Sequence, residues 1–305
     1  MNIFNTIRNS FIYKLLALQV HRVLVLISPR IEMQRCYKSV FNMKADLKNP
    51  KDLIEKIYWL QLYSDTSLWT LCADKYRVRE YLQRKGLDGF LPRLLGKWDN
   101  PDDFSFDNLP AEFILKMNNG CEACKIIRDK SSENIDEIKR YFKQMMLLPF
   151  GYSGAQLHYV KIKPCIIAEE LLHENEDMKL ISPNSVVDYK IWCINHEPEC
   201  VFVGYDRKPG KLSMALYDLT WTPMPDKLVN TQNDHFQPNV AIPKPACLDE
   251  MINIAKRISA DFHEVRVDFY VINDKPLIGE LTFTSGYGYF TRDYYKYLGS
   301  KITVI

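Results

Sequence analysis

Asp268 and Glu280 are the acids whose setting could do chemistry. They lie in VRVDFYVINDKPLIGELTFTSGYG, residues 265–288, where Val265, Val267, Phe269 and Val271 alternate with polar residues as in a half-buried strand. Asn273-Asp274-Lys275 then signals a turn, and on the return strand Leu277, Leu281 and Phe283 are expected on one face, Glu280 and Thr282 on the other. If the loop is Asn273 to Lys275 and Ile272 faces Pro276, Asp268 falls opposite Glu280 and Arg266 opposite Thr282. Like charges directly across an antiparallel pair repel, so carboxylates placed there need a cation or a shared proton. Oxygen ligands on rigid strands suit Mg²⁺, which takes one or two carboxylates and completes its shell with water and phosphate. The competing reading is a solvated face whose acids never converge, and a one-residue slip would remove the pairing.

A second group of residues could meet phosphate. Lys116 sits late in the strand-like EFILKM, followed by Asn118-Asn119-Gly120, Cys121-Glu122-Ala123-Cys124 and the strand-like Lys125-Ile126-Ile127. A tight turn of this kind offers backbone N–H groups to an anion while a lysine supplies charge; an ordinary hairpin glycine explains it equally. Lys75 and Arg79 lie four apart on the helix predicted over 73–86. Cys121 and Cys124 form an isolated C-x-x-C with no second pair and no thioredoxin-like context, so a metal or redox site is not expected. PCIIAEELL, residues 164–172, reads as an apolar strand turning abruptly polar at Glu169 and Glu170.

The elements that must position these groups are predominantly helical up to residue 86: a helix over 52–63, then one capped by Asp74, buried through Val78, Tyr81 and Leu82 and stopped at Gly86. An edge strand is expected over 90–96, with Pro92 inside it. A helix follows over 135–146, then a hairpin of strands 187–194 and 200–205 about Asn195 to Pro198, with Asp188, Lys190 and Trp192 on one face. A strand over 212–217, a long connection over 230–244, a helix over 248–262 and a terminal helical turn over 294–298 complete the chain.

The 305 residues carry 26% charged and 47% hydrophobic side chains, an ordinary globular composition. A net charge of +2 without a basic run gives no sign of a nucleic-acid partner. Eight scattered cysteines suggest reduced thiols and a cytoplasmic protein. Residues 1–31 contain Arg8, Lys14, Arg22 and Arg30 and no acid. Their apolar stretches are too interrupted for a transmembrane helix, and no cleavage site marks a secretory signal. The favoured reading is a helix packed on the body with its basic residues in water. The alternative is a basic amphipathic helix making peripheral contact with the inner face of a membrane.

Taken in order, NPKDLIEKIYWLQLY, DKYRVREYL, LLGKWDNPDDFSFDNLP, FILKMNNG, IIAEELL, DYKIWCINHEP, YDLTW and VRVDFY…GELTFTSGYG resemble the TupA-like ATP-grasp family over roughly residues 49–290. That family is named for teichuronopeptide synthesis and is often encoded among capsule and surface-polysaccharide genes. The resemblance implies an α+β ATP-grasp fold, two α+β subdomains enclosing MgATP, with a helical N-terminal extension. The expected divisions are 1–73, 74–171 and 172–305. By the same resemblance Lys75 and Lys116 reach the nucleotide phosphates and the turn from Asn118 through Gly120 to Cys121 covers them. Glu169, Glu170 and Leu171 form the linker that pairs with adenine, and Lys190 adds a phosphate contact. Asp268 and Glu280 hold magnesium with Thr282 as a further ligand, and Arg266 steadies the transferred phosphoryl group or an acyl-phosphate. The chain departs from the family where HGSG is usual: here Asn119-Gly120-Cys121-Glu122 stands, with a glutamate beside the triphosphate. Nor does the N-terminal region look like the Rossmann-like domain that precedes many ATP-grasp cores.

The implied activity is an ATP-dependent carboxylate–amine ligase working through an acyl-phosphate. The implied partners are a small-molecule or glycan carboxylate, such as a uronic acid, and an amino-acid amine. A glycosyltransferase of the same pathway, or a catalytically silent scaffold, are the alternatives.

Overall fold

The computed structural model describes residues 11–121, 123–208, 211–229, 241–286 and 288–304. They form an α+β structure with two separate antiparallel sheets. The chain divides into two compact units, each assembled from non-contiguous segments.

The first unit takes the described part of Met1–Ala45, together with Asp65–Val78 and Arg93–Leu171. Its sheet runs β1 (Leu94–Trp98), β4 (Ile166–Glu169), β2 (Phe113–Met117), β3 (Cys124–Ile127). Alternation along β2 sends Phe113, Leu115 and Met117 into a core with Ile166 and Ala168 of β4 and Ile138 and Phe142 of helix Ile135–Met146. That helix begins where the Asn134 side chain accepts from the Asp136 and Glu137 N–H groups. β1 is an edge strand as expected, but it starts after Pro92, because a proline cannot donate to the ladder. Cys121 and Cys124 are exposed and are not joined in a disulfide.

Helix α1 (Phe11–Ile27) packs on α2 (Pro29–Phe41), with Pro29 opening α2 and left-handed Asn42 closing it. The basic Lys14, Arg22 and Arg30 face water, as the favoured reading requires. Of the α1 side chains only that of Val25 is fully buried. Arg8 lies outside the described residues.

The second unit takes Asp46–Ser64, Arg79–Pro92 and Leu172–Ile305. Its sheet runs β7 (Lys211–Tyr217), β6 (Glu197–Lys208), β5 (Asp188–Ile194), β8 (Glu264–Ile272), β9 (Lys275–Thr282). Helix Leu248–Ser259 covers β5, β6 and β8 with Leu248, Met251, Ile254, Ala255 and Ile258. Helix Leu53–Tyr63 starts in a capping box, Asp52 accepting from the Glu55 N–H while the Glu55 side chain accepts from the Asp52 N–H. It packs on Arg292–Ser300, a full helix where one turn was expected; a Cβ on Gly299 would lie 2.4 Å from the Asp52 carbonyl carbon.

Two hairpins of this sheet, β5–β6 and β8–β9, turn more tightly than the sequence suggested. Ile194 pairs with Glu197 around Asn195 and His196, and Ile272 with Lys275 around Asn273 and Asp274. All four turn residues have positive φ, from 50° to 71°, the geometry that matches the twist of two-residue hairpins. The predicted connection over 230–244 falls largely on residues 230–240, which lie outside the described residues.

Candidate functional site

In the second unit three neighbouring strands align the predicted residues in two rows. Lys190 of β5, Asp268 of β8 and Glu280 of β9 are paired across the sheet, and so are Trp192, Arg266 and Thr282 in the adjoining row. The Asp268–Glu280 pairing expected from a three-residue loop therefore occurs, by a different route. The two-residue turn pairs Phe269 with Ile278, and a bulge between Phe269 and Asp268 leaves Gly279 over and restores the register. The bulge also corrects one assignment: Leu277, expected with Leu281 and Phe283, pairs with Tyr270 on the opposite face, and Ile278 takes the buried place.

Around Asp268 the charges are closely packed. Arg266 Nε donates to Asp268 Oδ1 at 2.6 Å and Arg266 Nη2 to Oδ2 at 2.7 Å. Lys190 Nζ donates to the same Oδ2 at 2.6 Å. Arg266 also donates to Thr282 Oγ1 at 3.2 Å, lies 3.7 Å from Glu280 Oε1 and rests over the Trp192 ring. Asp188 lies 3.4 Å from Lys190 and receives Arg207 at 3.2 Å. Burial pushes the Asp268 carboxyl above its ordinary range, against the opposing pull of Arg266 and Lys190. Burial lowers Lys190, but Asp188 and Asp268 outweigh it and hold the ammonium charged.

The donor chemistry fits a magnesium ion. Two carboxylates from adjacent strands and a hydroxyl are the number and hardness of ligands Mg²⁺ takes from protein. Asp268 Oδ1 accepts a single hydrogen bond from the described residues, and the Glu280 side chain is 29% exposed, so water and phosphate oxygens can reach it. Among the described residues no group of three or more His, Cys, Asp or Glu side chains forms a self-sufficient metal cage.

The sequence reading missed Glu264, because it opened the strand at Val265. Glu264 is the next residue on the face of Arg266 and Asp268 and is wholly buried. Among the described residues its carboxyl oxygens, Trp192 Nε1 and Ser285 Oγ find no hydrogen bond of full geometry. Burial drives the Glu264 carboxyl well above its ordinary range, against the pull of Arg266. The alternation extended one step toward the N-terminus would have found it.

In the first unit, Lys116 Nζ donates to Glu169 Oε2 at 2.7 Å, both largely buried. Lys75 Nζ donates to the Gly120 carbonyl at 2.5 Å, which ties one predicted phosphate residue to the predicted phosphate turn. Lys75 lies in the turn capped by Asp74, ahead of helix Val78–Arg84, so the expected Lys75/Arg79 face on one helix does not form. Arg79 instead donates to the Pro92 carbonyl. Gly120 has φ +80° and passes so near Phe150 that a Cβ would lie 2.5 Å from its ring. Asn118 is buried with its side chain turned to the backbone: its amide donates to Lys163 O at 3.0 Å and accepts from Cys165 N at 2.7 Å. Glu170 is bound to the start of β1, its N–H donating to Arg93 O and its side chain accepting from Arg93 N. Leu171 follows, half-buried. Glu122, the acid that departs from the usual phosphate loop, lies outside the described residues.

A sequence model of the family described as TupA-like ATPgrasp matches residues 55–303. No curated protein sequence matches the chain. Among solved structures, D-alanine–D-alanine ligase from Bacillus anthracis aligns at 16% identity over 76% of this chain and 66% of its own, with a TM-score of 0.44. L-amino acid ligase from Bacillus licheniformis aligns at 12% identity over 84% and 55%, with a TM-score of 0.43. N5-carboxyaminoimidazole ribonucleotide synthetase from Thermus thermophilus aligns at 11% identity over 76% and 51%, with a TM-score of 0.41. The chain thus spans between 51% and 66% of the length of these three.

Proposed function

The chain belongs to the TupA-like ATP-grasp family, and from this we propose that it is an ATP-dependent carboxylate–amine ligase. A substrate carboxylate oxygen attacks the γ-phosphorus of ATP, the bond to the bridging oxygen breaks, and ADP leaves. The amine then attacks the acyl carbon, inorganic phosphate departs, and the amine loses a proton as the amide forms.

In the second unit, Asp268, Glu280 and Thr282 are proposed to hold magnesium, which would neutralise charge on the phosphate oxygens. Lys190 and Arg266, already fixed by Asp268, supply positive charge without reorganising at the moment of reaction. In the first unit, Lys75, Lys116 and the turn at Asn118 and Gly120 are proposed to meet phosphate. The segment Glu169, Glu170 and Leu171 is proposed to meet adenine; the Glu170 N–H is committed to Arg93, so its neighbours' backbone groups would do the pairing.

The observation that most supports this reading is the Lys190–Asp268–Glu280 row with Arg266 and Thr282 beside it. A solvated face of unrelated acids would not bury a lysine and an arginine against one aspartate. The proposed substrates are a uronic-acid carboxyl of a capsule or other surface-polysaccharide precursor and an amino-acid amine, and the proposed place of action is the cytoplasm.

Thermal melting with MgATP and with magnesium UDP-sugars tests the class. A shift specific to ATP, with hydroxylamine trapping an acyl-phosphate when uronic acids are supplied, supports the ligase. A shift specific to UDP-sugars supports a glycosyltransferase, and no shift with either overturns both.

A further inference from the structure

Helix α1 carries an apolar face that nothing among the described residues covers. Ile12, Leu16, Val20, Val23 and Ile27 recur at steps of three and four and so share one side of the helix. They are exposed: Ile12 69%, Leu16 63%, Val20 59%, Val23 53% and Ile27 68%, with Leu26 beside them at 71%. Single exposed apolar residues are ordinary, whereas a contiguous group marks a surface that binds something. Fifteen large hydrophobic residues are exposed among those described, and eight fall between Ile12 and Ile31.

The charge around this face narrows what it fits. Lys14, Arg22 and Arg30 are exposed, and no acid occurs from Phe11 to Ile31. The first acid beyond, Glu32, is buried and accepts from Arg35 at 2.7 Å and from the Gly154 N–H at 3.1 Å, so it offers no negative charge outward. A second copy of the chain docking here would bring these cations against their own kind. A layer of anionic headgroups over hydrocarbon answers both the charge and the apolar stripe. No described helix is long and apolar enough to cross a membrane, so α1 would lie along the surface.

We propose that α1 and the start of α2 form a docking surface for an anionic lipid bilayer, with the Ile12–Ile27 stripe sunk among the acyl chains and Arg22 and Arg30 at the headgroups. The inference is independent of the nucleotide chemistry, since none of its residues belongs to the proposed ATP or magnesium contacts.

Co-sedimentation of the full chain with vesicles of phosphatidylcholine, with and without phosphatidylglycerol, tests it. The wild type is expected to pellet with phosphatidylglycerol vesicles, to release in high salt, and to bind neutral vesicles weakly. The double variant L16D/V23D should lose binding by roughly tenfold or more, given what each buried apolar side chain contributes. R22E should weaken binding to the anionic vesicles alone. Both variants should keep the wild-type melting temperature and response to MgATP, which separates this proposal from the ligase reading. A wild type that stays in the supernatant with both vesicles overturns the proposal, as does L16D/V23D pelleting like the wild type. Light scattering that shows a dimer broken by L16D/V23D would assign the face to a second copy instead.

Discussion

Arg266 grips Asp268 with two nitrogens of one guanidinium, Nε on Oδ1 at 2.6 Å and Nη2 on Oδ2 at 2.7 Å, although the two residues stand on the same strand. Side chains two apart on a strand share a face, so this fork is built locally, and Lys190 then adds a second cation from β5. A lysine at position 266 would keep the charge and lose the fork, the Thr282 contact and the stacking on Trp192. Arg266→Lys should therefore cost roughly 1–3 kcal/mol of stability. Arg266→Ala, which breaks a buried pair outright, should cost roughly 3–5 kcal/mol. Urea denaturation of the two variants checks the order; equal costs would mean that the charge contributes nothing once the fork is lost.

The turn at Gly120 gives a prediction in the first unit. Its φ of +80° is strained for any residue with a Cβ, and that Cβ would also collide with Phe150. Gly120→Ala should move the turn and with it the carbonyl that receives Lys75. The expected cost in stability is about 1–2 kcal/mol, together with a reduced thermal shift on adding MgATP. The double variant G120A/F150A removes the ring but keeps the Cβ at position 150, 2.7 Å from the new one, and leaves the strained φ, so it should not return to wild-type stability. An MgATP shift unchanged in Gly120→Ala would separate this turn from nucleotide binding.

Much of this arrangement was legible in the sequence because strand alternation has a period of two. It placed Arg266 and Asp268 on one face and Val265, Val267, Phe269 and Val271 in the core, as found. Turn length was not legible in the same way. Asn273-Asp274 and Asn195-His196 both adopt φ values that non-glycine residues seldom take, and the bulge at Gly279 leaves no signature apart from the glycine. The two departures from expectation compensate each other, so the pairing of Asp268 with Glu280 came out while Leu277 did not. Long-range partners were invisible for a different reason. Asn118 reads as a turn residue, yet its side chain is committed to Lys163 and Cys165, far along the chain and brought close only by the pairing of β2 with β4.

Glu32 supplies the clearest dependence on pH. Burial alone would push its carboxyl up, but hydrogen bonds from Arg35 and the Gly154 N–H, with the charges of Arg35 and His21, bring it down to about 2. In the unfolded chain the group titrates at its ordinary value, roughly 4.3. Its folded value is the lower one, so the unfolded state binds the proton more readily, and acid favours unfolding. The stabilisation is complete above about pH 5 and disappears as the pH falls toward about 2, with an upper limit of about 3 kcal/mol. Glu32→Gln has no carboxylate to protonate. It should be less stable than the wild type at neutral pH, and the two should converge as the pH falls through that window. Denaturant midpoints collected across the acid range measure the gap directly. A gap that stays constant down to the lowest pH would show that Glu32 acts through packing and not through its charge.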